Sequence, residues 1–101
     1  MEQMTPLFVQ ERIKRVLETR IGVNPTLLND AGPDTLIFRE GLGLDSVEAL
    51  DLAGAIEDEF SFSVEADDFN ESTFRTIGTL SSYVVQKVEG QPSSPGGRGT
   101  P

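Results

Sequence analysis

The sequence predicts an all-α fold of four helical segments, on three observations. Apolar residues recur at one-face helical spacing in three stretches, a start signal precedes each of them, and no run alternates apolar with polar long enough to argue for a sheet. The chain has 101 residues, 37% of them apolar, which is enough for one modest core and not for two. One domain is therefore expected, over residues 1–89, followed by a tail over 90–101.

The first helix is expected over about 5–20. Thr5 is placed to cap it, Pro6 suits the first helical position, and Val9, Ile13, Val16 and Leu17 share one face. Gly22 is a plausible stop. Arg12, Lys14, Arg15 and Arg20 make this helix the basic part of the molecule. Residues 23–44 carry Pro25, Gly32, Pro33, Gly41 and Gly43, and their apolar residues follow no single period. They read as a long ordered connection with a short helical turn, held to the core by Leu27, Leu28, Leu36, Phe38, Leu42 and Leu44.

A second helix is expected over 45–60. Asp45 with Glu48 three positions on forms a capping-box pair, just where the apolar period begins. Ala49, Leu52, Ala53, Ile56 and Phe60 form its core face, which turns Val47, Leu50, Asp51, Gly54 and Asp58 outward. After a turn at 61–63, Val64 anchors the chain and 65–70 form a short third helix. Ser72, Thr73 or Thr76 then caps a last helix over 76–88, with Ile77, Leu80, Val84 and Val88 inward. Residues 90–101 hold four glycines, three prolines and no apolar side chain, so a disordered tail is expected there.

Composition narrows the function. A formal charge of −9 repels nucleic acid and anionic lipid, so partners should be proteins with basic faces. Without cysteine there is no disulfide, thiolate site or cysteine nucleophile, and without histidine the usual general base is missing. No catalytic and no metal site is expected. Asp67, Asp68 and Asn70 cluster, but the spacing of a calcium loop is not met. No leader or membrane-spanning stretch is evident, so a cytoplasmic monomer is expected.

The run Gly43-Leu44-Asp45-Ser46-Val47-Glu48-Ala49-Leu50 is the specific signal. It places a serine hydroxyl in the first turn of a helix, where unpaired backbone N–H groups favour an anion such as a phosphodiester. Together with the acidic helix behind it, this run resembles the attachment motif of acyl carrier proteins, and the likeness extends from about Val9 to Val88. The resemblance implies a four-helix bundle whose Ser46 takes a covalent 4'-phosphopantetheine arm from coenzyme A. A separate phosphopantetheinyl transferase supplies the catalysis, and Asp45 helps that transferase to recognise the site. The arm then carries acyl groups as thioesters to an acyltransferase, ketosynthase, acyl ligase or other biosynthetic enzyme. Leu44, Val47, Glu48, Leu50, Asp51, Gly54 and Asp58 would form the docking face. Ala49, Ala53, Ile56, Phe60, Val64, Phe74 and Ile77 are candidates to line an acyl pocket, with packed core as the plainer role for each.

Two positions depart from the family pattern. Gly54 stands where a larger apolar side chain is common, which would leave a notch for a partner, and Val47 replaces the usual leucine after the serine. Thr73-Phe74-Arg75-Thr76-Ile77 looks like a run of free-standing carriers in specialised metabolism. A discrete polyketide-type carrier is preferred on that ground to a fatty-acid carrier, and Leu44-Asp45 before the serine disfavours a peptidyl one. The competing classes are an unmodified helical interaction module and a small serine hydrolase, the latter lacking a base.

Overall fold

A computed structural model describes residues 5–38 and 41–90. Helix α1, Pro6–Val16, starts where the Phe8 N–H donates to Thr5 Oγ1 at 3.2 Å, and it runs on as one wider π-turn, Leu17–Ile21. Gly22 ends it in the left-handed region at φ 93°, where its N–H and that of Val23 both donate to the Leu17 carbonyl at 2.9 Å. A short helix α2, Pro25–Asn29, is capped by the Asn24 side chain. Helix α3 spans Ser46–Phe60, a single 3-10 turn spans Ala66–Asp68, and helix α4 spans Ile77–Gly90. Of the tail expected over 90–101, Gly90 instead closes α4, and residues 91–101 lie outside the described residues.

The all-α expectation holds, with differences in detail. The short third helix is only one 3-10 turn, because Asn70 ends it: its amide donates to the Asp67 carbonyl at 2.7 Å, and its Oδ1 accepts from the Thr73 N–H at 2.9 Å. The start of α4 is set by Thr76, whose Oγ1 accepts from the Thr79 N–H while Thr79 Oγ1 accepts from the Thr76 N–H, both at 3.0 Å. Leu27 does not anchor the loop. It is half-exposed on α2, whereas Leu28 beside it is buried and Ile37 does the anchoring further on.

Helix α1 packs against α4 and α3. Val9, Ile13, Val16 and Leu17 meet Leu52, Ile56 and Phe60 of α3 and Ile77, Leu80 and Val84 of α4 in one core. Each such side chain contributes about 1.5–3 kcal/mol relative to leaving it in water. Ala55, which the one-face series leaves out, is buried as well. Two charge pairs then tie α1 to the end of α3: Arg12 with Glu59, and Arg20 with Asp58 at 3.3 Å.

Backbone bonds stitch the two long connections together. The Ile37 N–H donates to the Arg75 carbonyl at 2.9 Å, the Ile77 N–H to Thr35 at 3.0 Å, and the Gly78 N–H to Pro33 at 2.8 Å. The loop before α3 is thus pinned to the start of α4. That close approach is why residue 78 is glycine: a Cβ there would lie 2.7 Å from the Pro33 carbonyl oxygen, while a Cβ at Gly54 would meet nothing within 4 Å. The two helical glycines should therefore respond oppositely. Gly54→Ala is expected to raise stability by about 0.5–1 kcal/mol, and Gly78→Ala to lower it by about 1–3 kcal/mol, read as shifts of the urea midpoint at constant slope. Equal shifts of one sign would contradict the packing described.

The 3-10 turn is tied to α4 by Tyr83, whose hydroxyl donates to Asp68 Oδ2 at 2.9 Å. Burial first, and then this bond to a carboxylate, push the hydroxyl up from an ordinary 10.0 to about 12. The fold thus favours the neutral phenol, so the stability Tyr83 lends is fully present below about pH 10 and is lost as pH rises through about 12. Unfolding measured in parallel should show a constant gap between wild type and Tyr83→Phe below about pH 10, shrinking above it. A gap unchanged up to about pH 12 would count against the bond.

Candidate functional site

Three consecutive residues at the head of α3 have three different fates. Leu44 is buried, its N–H donating to the Ile37 carbonyl at 3.1 Å. Asp45 is extended and caps the helix: its Oδ1 accepts from the Glu48 N–H at 2.8 Å, and Glu48 Oε1 accepts from the Asp45 N–H at 3.2 Å. A cap of this type is worth about 1 kcal/mol. Ser46, the first helical residue, is exposed.

The sequence put Leu44 on the docking face, and the structure corrects this. At 4% exposure it is part of the core, because the chain folds back through a bridge between Phe38 and Leu44 and presses that side chain inward. Val47 and Leu50, 69% and 60% exposed, do face outward with Asp51, Gly54 and Asp58. Glu48 is partly covered and engaged in the cap, and Asp58 is shared with Arg20. Leu27, expected inside, instead lines a shallow depression of about 190 Å³ with Leu42, Gly43 and Glu48, which extends the exposed apolar surface across to α2.

A groove of about 460 Å³ opens on the other side of Ser46. Phe38, Leu44, Ala49, Phe69 and Phe74 supply its apolar lining, and Asp45, Ser46, Asn70 and Glu71 its polar lining. Of the expected pocket residues only Ala49 and Phe74 reach it. Ala53, Ile56, Phe60 and Ile77 are packed core and Val64 lies partly buried against that core, because one helical turn beyond Ala49 the face of α3 is already part of the core it shares with α1 and the π-turn that follows it. Phe69, Asn70 and Glu71 were missed as lining. They sit in a stretch with no helical period, and a tandem of turns leaves no spacing to read.

These residues fit a phosphodiester-linked arm. The Ser46 hydroxyl stands at the surface, and the first-turn N–H groups of Ser46 and Val47 have no acceptor within the helix, since the cap takes Glu48 and the Asp45 carbonyl takes Ala49. A groove begins at the same serine. Among the described residues no group of three or more acidic, histidine or cysteine side chains could hold a metal ion, and no helix is long and apolar enough to cross a membrane. Asp67 and Asn70, near neighbours in sequence, are joined to each other, while Asp68 turns to Tyr83.

Comparison with known protein families matches residues 11–84 to the phosphopantetheine attachment site family, a span that contains the whole of α3 and both connections around it. A capped helix with a serine at its exposed first position, inside a match covering most of the chain, leads to one conclusion: this chain belongs to the phosphopantetheine-attachment family and is a carrier of that prosthetic group.

Proposed function

We propose that Ser46 is the attachment residue and that the chain is a discrete cytoplasmic acyl carrier working in polyketide or related specialised-metabolite assembly. The observation that carries the first part is the exposure of Ser46 at a capped helix start inside the matched span. The Ser46 oxygen displaces the nucleotide half of coenzyme A from its pyrophosphate, and a base on a separate phosphopantetheinyl transferase takes the hydroxyl proton. Once bound, the arm supplies a thiol that holds an acyl group as a thioester. The protein's own contribution is to hold the attachment point rigid and in solvent, which keeps the tethered group at high effective concentration before each docked enzyme. The preference for specialised metabolism rests on the run Thr73–Ile77.

Val47 and Leu50 with Asp51 form the patch on which basic-faced enzymes dock, and Gly54 leaves it open one turn further on. Incubation with coenzyme A and a promiscuous transferase should add one phosphopantetheine mass to the wild type and none to Ser46→Ala, with the group mapped to the peptide holding Ser46. Wild type left unmodified while folded would defeat the proposal and favour the unmodified interaction module.

The ion pairs refine the docking prediction. Asp58 is already compensated by Arg20, whereas Asp51 makes no ion pair among the described residues. At low salt Asp51→Asn is expected to slow association with the transferase by roughly 2–5-fold and Asp58→Asn by less, with the difference vanishing at high salt. Equal effects would mean that the whole acidic helix acts as one field.

A further inference from the structure

The groove beside Ser46 has two walls of different construction. One is α3 itself, a fifteen-residue helix with Ala49 on its inner face. The other hangs on Phe69, which follows the single 3-10 turn and meets Phe74 edge to face at 5.3 Å and 77°. One turn of 3-10 helix has little stability of its own. The residue before Phe69 supplies what the backbone lacks. Asp68 accepts the Tyr83 hydroxyl at 2.9 Å and lies 3.8 Å from Lys87 Nζ, which is also 4.0 Å from Glu65. Tyr83 is itself held, its ring 6.0 Å from that of Phe62 and covered on one face by Lys87 at 5.9 Å.

We propose that Asp68, latched to Tyr83 and Lys87 of α4, is a positioning residue that fixes Phe69 as the movable wall of the groove and so sets whether an apolar acyl chain can lodge beside Ser46. This rests on Ser46 bearing the arm, but the latch can be tested without it. Neither Tyr83 nor Lys87 lines the groove, so a change there acts on the wall at one remove: loss of the Tyr83 hydroxyl acts through Asp68, and loss of the Lys87 charge through Asp68 and Glu65.

The unmodified protein gives the first readout. Tyr83→Phe removes only the hydroxyl and should speed amide hydrogen exchange at 66–70 by roughly tenfold, with weakened ring contact between Phe69 and Phe74 by NMR and unchanged exchange in α1 and α3. Asp68→Asn, with Tyr83 intact, keeps an acceptor for the hydroxyl and should retain most of the protection. Lys87→Met carries the same test at smaller amplitude should Tyr83→Phe fail to fold. Unaltered exchange at 66–70 in both Tyr83→Phe and Lys87→Met, or equal acceleration in every helix, overturns the latch. The second readout is tyrosine emission, which Tyr83 reports alone because the chain has one tyrosine and no tryptophan. Free octanoyl-pantetheine, and an octanoyl thioester on the modified protein, should shift this emission and the Phe69 resonances, while the acetyl forms should not. Absence of any octanoyl effect, free or attached, overturns the role in lodging cargo. An effect of the free compound in a protein that no transferase modifies upholds the latch and sinks the attachment reading instead.

Discussion

The chain has to pass from core to solvent within three residues, and the position of the site follows from how it does so. Leu44 is drawn inward by apolar burial and by its backbone bond to Ile37, and Gly43 reverses the chain at φ 84°, a conformation that a β-carbon would strain. With Leu44 held, Asp45 can only lie across the head of α3, where its carboxylate and that of Glu48 close the first turn reciprocally. Ser46 then has no choice of side. Its exposure is a consequence of core packing at Leu44, so the Ser46 hydroxyl inherits the rigidity of the bundle although it stands at the surface.

The same arrangement distributes charge along α3. Acidic residues run from its first turn to its last, and α1 with its π-turn, together carrying four of the eight bases, pairs with its far end. Arg12 meets Glu59 and Arg20 meets Asp58, so positive charge compensates the end remote from Ser46. Exposed pairs of this kind contribute at most about 1 kcal/mol each to stability. Their larger effect is on the shape of the field: negative potential is concentrated towards Glu48 and Asp51, beside Val47 and Leu50. Such a field would steer a basic partner of the kind proposed above to the serine end of the helix.

Helical elements with a period and a cap were legible from residue order. The core faces of α1, α3 and α4 follow from spacing, and the Asp45–Glu48 pair announces both the helix and its serine. The connections were less legible, because burial there is decided by long-range backbone bonds. Nothing local distinguishes Leu27 from Leu28 until α2 turns one outward, and nothing local shows that Leu44 is pulled under the chain by Ile37. The site suffered most where it drew on such segments. The outward placement of Ser46, Val47 and Leu50 follows from helical phase, whereas the residues expected to line a pocket run along α3 into the core and the groove beside Ser46 lies across from them, at Phe69, Asn70 and Glu71.

That mismatch has a physical logic. A long helix packed into the core cannot part to admit a ligand without losing contacts worth several kcal/mol, so a groove beside α3 has to be closed by something cheaper to move. The segment between α3 and α4 meets that need: it forms one 3-10 turn, and side-chain bonds to α4 take the place of a second turn of helix. Each such bond is worth about 1 kcal/mol or somewhat more when an acceptor is charged, enough to favour one position of Phe69 and too little to forbid others. On the latch proposed above, this asymmetry is what would let an acyl chain lodge beside Ser46 and leave it again.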